Sequence, residues 1–348
     1  MAITIRDVAK QAGVSVATAS RVINNDQSHR VKPETAKKVL NAVVALNYSP
    51  NENARNLRCM RPRDRSPLNI GVLLTSVIDT YDDNFFHDIL MGIQNEAAVS
   101  GHSICFTHSL NASAPKLIEE YLKTYQVDGV ILLGRMNAEM LHLVRKNTRH
   151  LIYAGLNPVH QAFDEVFCDG LQCAQTAVRH LASCGYKKIG YIGTAAASGS
   201  SMLINEYRYD GYVSAMAELG LPLIRDYIID TPLSVEMAYN NVNLRLAKGG
   251  LPDAYFCAND TCAIGVLKAL KDRKIKVPQD VAIISIDDIE AAALTRPALT
   301  TIQIPRHEIG IYSVRILSDQ IESRRKYPIR VELPYNLIIR ESCKTAKL

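Results

Sequence analysis

Residues 3–25 read ITIRDVAKQAGVSVATASRVINN. Val8, Ala9 and Ala12 recur at the spacing that lines one face of a helix, and Thr4 stands where a side-chain oxygen accepts a hydrogen bond from the free amides of a first turn. Gly13 supplies a permissive position for ending that helix, Val14 turns inward, and Ser15 is placed to cap a second helix from Val16 to about Asn24. The pattern predicts two short helices joined by a tight turn. Further along, Pro33 opens a third segment that puts Val39, Val43 and Leu46 on one face and ends near Asn47. Three such helices share one small core.

In a helix-turn-helix the second helix enters the major groove of DNA, so Val16 and Ala17 near its start are expected at base edges, where small apolar side chains suit thymine methyls. Arg21, one turn on, is placed either for a bidentate contact with guanine or for phosphate, and both readings stand. Thr4, Ser15, Thr18, Asn24 and Thr35 lie at or near helix ends, where they either reach phosphate oxygens or cap the helices. Charge agrees with a polyanion-binding N-terminus: residues 1–66 carry 12 Lys/Arg against 5 Asp/Glu, whereas the rest of the chain carries 28 against 30.

With 348 residues the chain exceeds what one core fills and implies two or three units. Apolar residues at 47% and charged residues at 22% describe a folded protein rather than a disordered one. The opening MAITIRDVAK is charged where a secretory signal needs an apolar run, and no stretch is apolar for long enough to span a bilayer. A cytoplasmic location without a membrane partner is the expectation. Eight scattered cysteines form no CxxC pair, so neither a metal nor a cofactor is expected.

Between Tyr48 and Pro67 the composition turns polar and basic, with Arg55, Arg58, Arg61, Arg63 and Arg65, and reads as a linker. From Leu68 onward short apolar runs alternate with helical patterns: LNIGVLLT, a helix over 86–99, SICFTHS, a helix over 117–125, DGVILLG. The alternation restarts after Asp169 with a helix over 172–183, KKIGYIG, a helix through Tyr212 to Leu219, AYFCAND and VAIISIDD. Such alternation predicts parallel sheets covered by helices in two similar lobes, with a ligand site outside the carboxyl ends of the strands. Asn259 and Asp260 after one strand, and Asp287 and Asp288 after another, are the sharpest candidates to face that site, with capping as the alternative role for Asp260 and Asp288. Phe86, Arg135 and Phe167 fall at strand ends or helix starts on the first lobe and are expected at the same cleft, where core packing explains the phenylalanines equally well.

The run over residues 3–25, followed by VKPETAKKVLNAVVALNYSPNENARNLR over 31–58, resembles the headpiece of the lactose-repressor (LacI/GalR) family. The resemblance implies an α/β protein: a three-helix headpiece at 1–49, a hinge helix and linker at 50–67, and a two-lobed, periplasmic-binding-protein-like body with parallel sheets at 68–348. In the lobes so implied, residues 68–169 and 301–330 form the first and 170–300 and 331–348 the second, with crossings near Gly170, Thr300 and Val331. It also implies that Arg55 and Leu57 belong to a hinge that meets DNA, Leu57 wedging between base steps unless it packs on the neighbouring domain. Arg208 in RYDGY matches the arginine that relatives direct at their effector. Implied partners are double-stranded operator DNA, a small-molecule effector such as a sugar or, as the alternative, a purine, and a second copy of the chain in a homodimer. Two departures stand out: Ala19 replaces a bulkier aliphatic residue, and Gly155 in IYAGLNP stands where relatives often carry an aspartate. An enzyme or a transported-solute binding protein is the rival class, but no nucleophile motif, phosphate-binding glycine loop or metal cluster supports the former and the headpiece argues against the latter.

Overall fold

The computed structural model describes residues 5–23, 35, 38, 39, 42, 67–75, 84–110, 120–122, 124–134, 138–160, 162–195 and 206–344. The chain divides into two compact units, Met1–Arg65 and Ser66–Leu348.

In the first unit, α1 spans Ile5–Ala12 and α2 spans Val16–Ile23. Gly13 takes a left-handed φ of 64°, which lets the Val14 amide donate back to the Ala9 carbonyl at 3.0 Å and the Gly13 amide to Lys10 at 3.3 Å. This pair of bonds satisfies two of the four carbonyls that the end of α1 leaves without helical partners. Ser15 then caps α2, its hydroxyl accepting from the Thr18 amide at 3.1 Å. Val8, Ala9, Ala12 and Ala19 are buried with Val39 and Ala42, so the third segment contributes to the same core, and Ala19 is fully enclosed despite its small size.

In the second unit, the first sheet is built from β1 (Asn69–Thr75), β2 (Ser103–Leu110), β3 (Gly129–Gly134), β4 (Leu151–Leu156), β5 (Asp164–Cys168) and β11 (Arg330–Glu332), with helices α3 (Asn84–Ser100), α4 (Ala138–Asn147) and α10 (Arg306–Ser323). The second sheet is built from β6 (Ile189–Gly193), β7 (Ile228–Asp230), β8 (Ala254–Cys257), β9 (Ala282–Asp287), β10 (Thr300–Gln303) and β12 (Asn336–Ile338). Its helices are α5 (Gly170–Ser183), α6 (Arg208–Glu218), α7 (Val235–Leu246), α8 (Asp260–Asp272) and α9 (Glu290–Leu294). Strand order is β2-β1-β3-β4-β5-β11 in one and β7-β6-β8-β9-β10-β12 in the other, parallel throughout except for β12. Each sheet thus has the doubly wound order whose carboxyl ends form a ligand crevice. Both faces of β3 are buried: Val130 and Leu132 join one core cluster, Ile131 and Leu133 another. A strand covered on both sides must be apolar continuously, which is what made GVILLG legible.

The chain crosses between lobes three times. The first crossing falls at Asp169, whose carboxylate accepts from the Leu171 and Gln172 amides at the start of α5. The second differs from the expected Thr300, because Thr300–Gln303 pairs with Ile284–Asp287 as part of the second sheet, and the crossing lies at 304–305. The third differs from Val331, because Val331 and Glu332 still pair with Val166 and Phe167 in the first sheet and the second sheet resumes at Asn336. Residues 301–303 therefore belong to the second lobe and 331–332 to the first.

Helices α3 and α10 approach closely because each presents a glycine at the contact. A methyl group on Gly310 would overlap the Ile89 carbonyl oxygen, and one on Gly92 would overlap the carbonyl of His307. Backbone cannot step aside as a side chain can, so Gly310→Ala is expected to cost about 1–3 kcal/mol, measured as a lower urea midpoint at unchanged slope.

Candidate functional site

On the headpiece, Val16 is exposed at the start of α2, as a base-reading residue requires. Ser15 and Thr18 meet each other through their hydroxyls at 2.9 Å, so both are engaged in the cap at the end of the helix where amides point outward. Position 35 is helical and half-buried. Ala17 and Arg21 lie within α2, and nothing is described of their side chains. Thr4, Asn24, Arg55 and Leu57 lie outside the described residues.

In the body, Arg208 opens α6 with its side chain buried. Its Nε and Nη2 donate to the two carboxylate oxygens of Glu206 at 2.8 and 2.5 Å, and Nη1 donates to the Ala258 carbonyl at 3.0 Å, just beyond β8. Burial opposes the charge on Arg208, but Glu206, with a smaller contribution from Asp287, outweighs it and holds the guanidinium more firmly protonated than usual. The pair is a forked, almost water-free ion pair at 5% and 8% side-chain exposure. Glu206 was missed in the sequence because a carboxylate two residues before an arginine looks like any other acidic residue until both are buried together.

The cap of α8 is Asn259 and not Asp260: the Asn259 side chain accepts from the Cys262 amide at 2.9 Å. Asp260, taken from the sequence as an effector ligand or a cap, does not cap the helix. It is fully buried, and its carboxyl oxygens accept from the Ser285 hydroxyl, from Thr301 Oγ1 at 2.7 Å and from the Ile289 amide at 2.9 Å. It pins β9 and β10 to the start of α8. Burial pushes its carboxyl up to about 6, against the three donors that pull it down. An acid whose folded pKa lies above its unfolded value stabilises the fold at low pH and loses that contribution as pH rises. Thermal melts should therefore carry a component that falls between about pH 4 and about pH 6, and Asp260→Asn should remove it.

Asp287 closes β9 with φ of 123° and Asp288 follows at 54°, two consecutive non-glycine residues in the left-handed half of backbone space. Such strain costs on the order of 1–3 kcal/mol per residue and persists only where surrounding structure enforces it. Here the enforcement is visible. Arg306 Nη1 donates to the Asp287 carbonyl and Nη2 to the Asp288 carbonyl at 3.2 Å, while Arg340 pairs with the Asp288 carboxylate at 2.7 Å and Gln303 donates to it at 3.0 Å. Asp288 is thus committed to local structure, whereas the Asp287 side chain is 4% exposed and its charge helps hold Arg208 protonated.

Arg306 belongs to the first lobe, where it also pairs with Asp88 on α3 at 2.7 Å. One guanidinium therefore bridges the lobes at the strand ends that form the crevice. A second approach across the crevice joins His160, in the loop after β4, to Tyr207 with ring centroids 6.1 Å apart. Burial, and then Glu165 from the first lobe, push the Tyr207 hydroxyl up. Phe86 is half-buried at the start of α3, edge-on to Phe85, and Phe167 is buried at the end of β5 with its carbonyl accepting from Leu333 at 2.8 Å. Arg135 lies outside the described residues. Gly155 is explained by packing, since a methyl group there would sit 2.6 Å from the Tyr153 hydroxyl oxygen.

Comparison with known proteins agrees with both units. Residues 4–51 match the model for bacterial regulatory proteins of the lacI family, and residues 178–343 match a periplasmic binding protein-like domain. The chain is 32% identical over 345 residues to the HTH-type transcriptional repressor MelR of Bacillus subtilis (strain 168), covering 98% of this chain and 97% of that protein. It is 32% identical over 351 residues to the repressor PurR of Haemophilus influenzae, covering 98% and 99%. Among solved structures, a complex of the transcriptional regulator CelR with cellobiose shares the fold at a TM-score of 0.72 and 24% identity, covering 98% of this chain and 99% of the other. Near-complete alignment at this identity, through headpiece and both lobes, leaves one conclusion: the chain belongs to the LacI family of bacterial regulatory proteins.

Proposed function

We propose that the protein is a cytoplasmic, homodimeric repressor whose operator affinity is set by a neutral, hydroxyl-rich ligand of the carbohydrate class bound between the lobes. The observation that carries the ligand class is the Arg208–Glu206 pair. Because Glu206 already balances the buried guanidinium, the crevice needs no anionic ligand to complete it, and the Asp287 carboxylate beside it is suited to accept from ligand hydroxyls. The relatives fit this reading: MelR and PurR are repressors, and CelR was solved with cellobiose. Two headpieces of a symmetric dimer read two half-sites of a nearly palindromic operator, with Val16, Ala17 and Arg21 at base edges and Ser15, Thr18 and the hinge residues Arg55 and Leu57 at the backbone and minor groove.

A melting-temperature screen of the full chain against mono- and disaccharides, sugar phosphates and nucleobases tests the ligand class, since a ligand that binds only the folded state raises the transition. A sugar is expected to shift wild type and to leave Asp287→Ala unshifted. A nucleobase that shifts wild type and is lost in the same variant would replace the carbohydrate reading. Leu57→Ala is expected to weaken operator binding at least about tenfold, the loss of one intercalated wedge, with sugar affinity unchanged.

A further inference from the structure

A second cavity, of about 470 Å³, opens on the first lobe at the opposite end of its sheet from the crevice. It is bounded by the end of α4, the first residue of β4, the loop before β5 and the end of α10 with the turn that follows. Its lining carries six basic side chains and no carboxylate: Arg145, Arg149, His150, Arg324, Arg325 and Lys326. Arg325 is committed to Asp164 at 2.8 Å and Asp319 at 2.5 Å, and Arg145 lies over the face of Phe163 at 5.8 Å. Among the described residues, Arg149, Arg324 and Lys326 have no carboxylate partner.

Cations often gather where helices end, and both α4 and α10 end here. Each helix terminus offers a partial charge of about −0.5, so the two together offset about one positive charge. At least two cations exceed what the helix ends explain. Two further observations bear on the cavity. The Thr148 hydroxyl oxygen is buried in the wall of this cavity and has no hydrogen-bond partner among the described residues, a state native proteins rarely leave unexplained. Burial, and then the charge of the neighbouring Arg149, push the His150 imidazole down, against Gln320 and Asp128, which shows Arg149 acting on this part of the lining.

We propose that this cavity binds the phosphate group of a small metabolite, giving the protein a second ligand site separate from the interlobe crevice. Guanidinium forks and an ammonium group match phosphate oxygens, and the hydroxyl of Thr148 supplies a neutral donor. The volume lies in the range of small-molecule pockets, which favours a metabolite over a duplex backbone.

The test uses the full chain and inorganic pyrophosphate as probe, read by melting temperature and by titration calorimetry. The counter-variant is Arg149→Ala with Arg324→Gly, glycine being chosen because Arg324 has φ of 51° and tolerates it without strain. Pyrophosphate is expected to bind wild type and Asp287→Ala equally, and to bind the double variant at least about tenfold more weakly, the loss expected of two charge-assisted contacts. Equal binding to wild type and the double variant, or a shift reproduced by sodium chloride at the same ionic strength, overturns the proposal. A third arm measures a random duplex against salt: if the double variant lowers the salt slope by about one per lost phosphate contact while pyrophosphate fails to bind wild type, the cluster serves DNA and the metabolite site is rejected.

Discussion

Arg208→Met is expected to lower the stability of the body by about 3–5 kcal/mol, because it leaves the Glu206 carboxylate buried without its counter-charge. The ligand-induced rise in melting temperature should vanish in the same variant. Glu206→Gln alone strands the guanidinium and should also destabilise, whereas the double variant Arg208→Met with Glu206→Gln removes both charges and should recover much of the lost stability. The ligand response should not return with it. Urea denaturation of the four proteins gives the coupling energy directly, and a coupling near zero would mean that the pair is not closed in solution. Recovery of stability without recovery of ligand response separates the structural role of the pair from its place in the site.

Arg306→Ala should have the next largest effect, and on a different property. Its guanidinium is anchored in the first lobe by Asp88 and reaches the two strained carbonyls at the end of β9 in the second. Hydrogen bonds from a charged donor contribute about 1.5–3 kcal/mol each, and with Asp88 partly exposed the overall cost is expected at about 2–4 kcal/mol. Since the contact spans the lobes at the crevice, its loss alters the balance between open and closed arrangements. Effector affinity should change several-fold, and the factor by which effector alters operator affinity should shrink. Arg306→Lys keeps the pair with Asp88 but cannot fork to two carbonyls, so it should restore stability in part and coupling little.

Much of this architecture is readable in the chain because local chemistry and global fold agree. Gly13 and Ser15 mark a helix end and a helix start at which the observed bonds form, and GVILLG is apolar without interruption because both faces of its sheet are covered. What escaped the reading depends on single-residue boundaries or on distant partners. A one-residue difference in where α8 begins turns Asn259 into the cap and frees Asp260 to bond Ser285 and Thr301, 25 and 41 residues away. Arg306 reads as a first-turn helix residue, and its bridge to Asp88 spans 218 positions of sequence. The crossings near Thr300 and Val331 were misplaced by a few residues because the strands there are three or four residues long and continue into chain with no turn signal at the expected point.

The most direct test of the account is operator selection from a random duplex library by the full-length protein, followed by titration of the selected duplex with and without the sugar that raises the melting temperature. A LacI-family repressor controlled through its crevice should enrich a two-fold symmetric site and should change affinity for it at least about fivefold at saturating sugar, in wild type but not in Asp287→Ala. Enrichment of no symmetric site, or an operator affinity indifferent to a sugar that demonstrably binds, would contradict it.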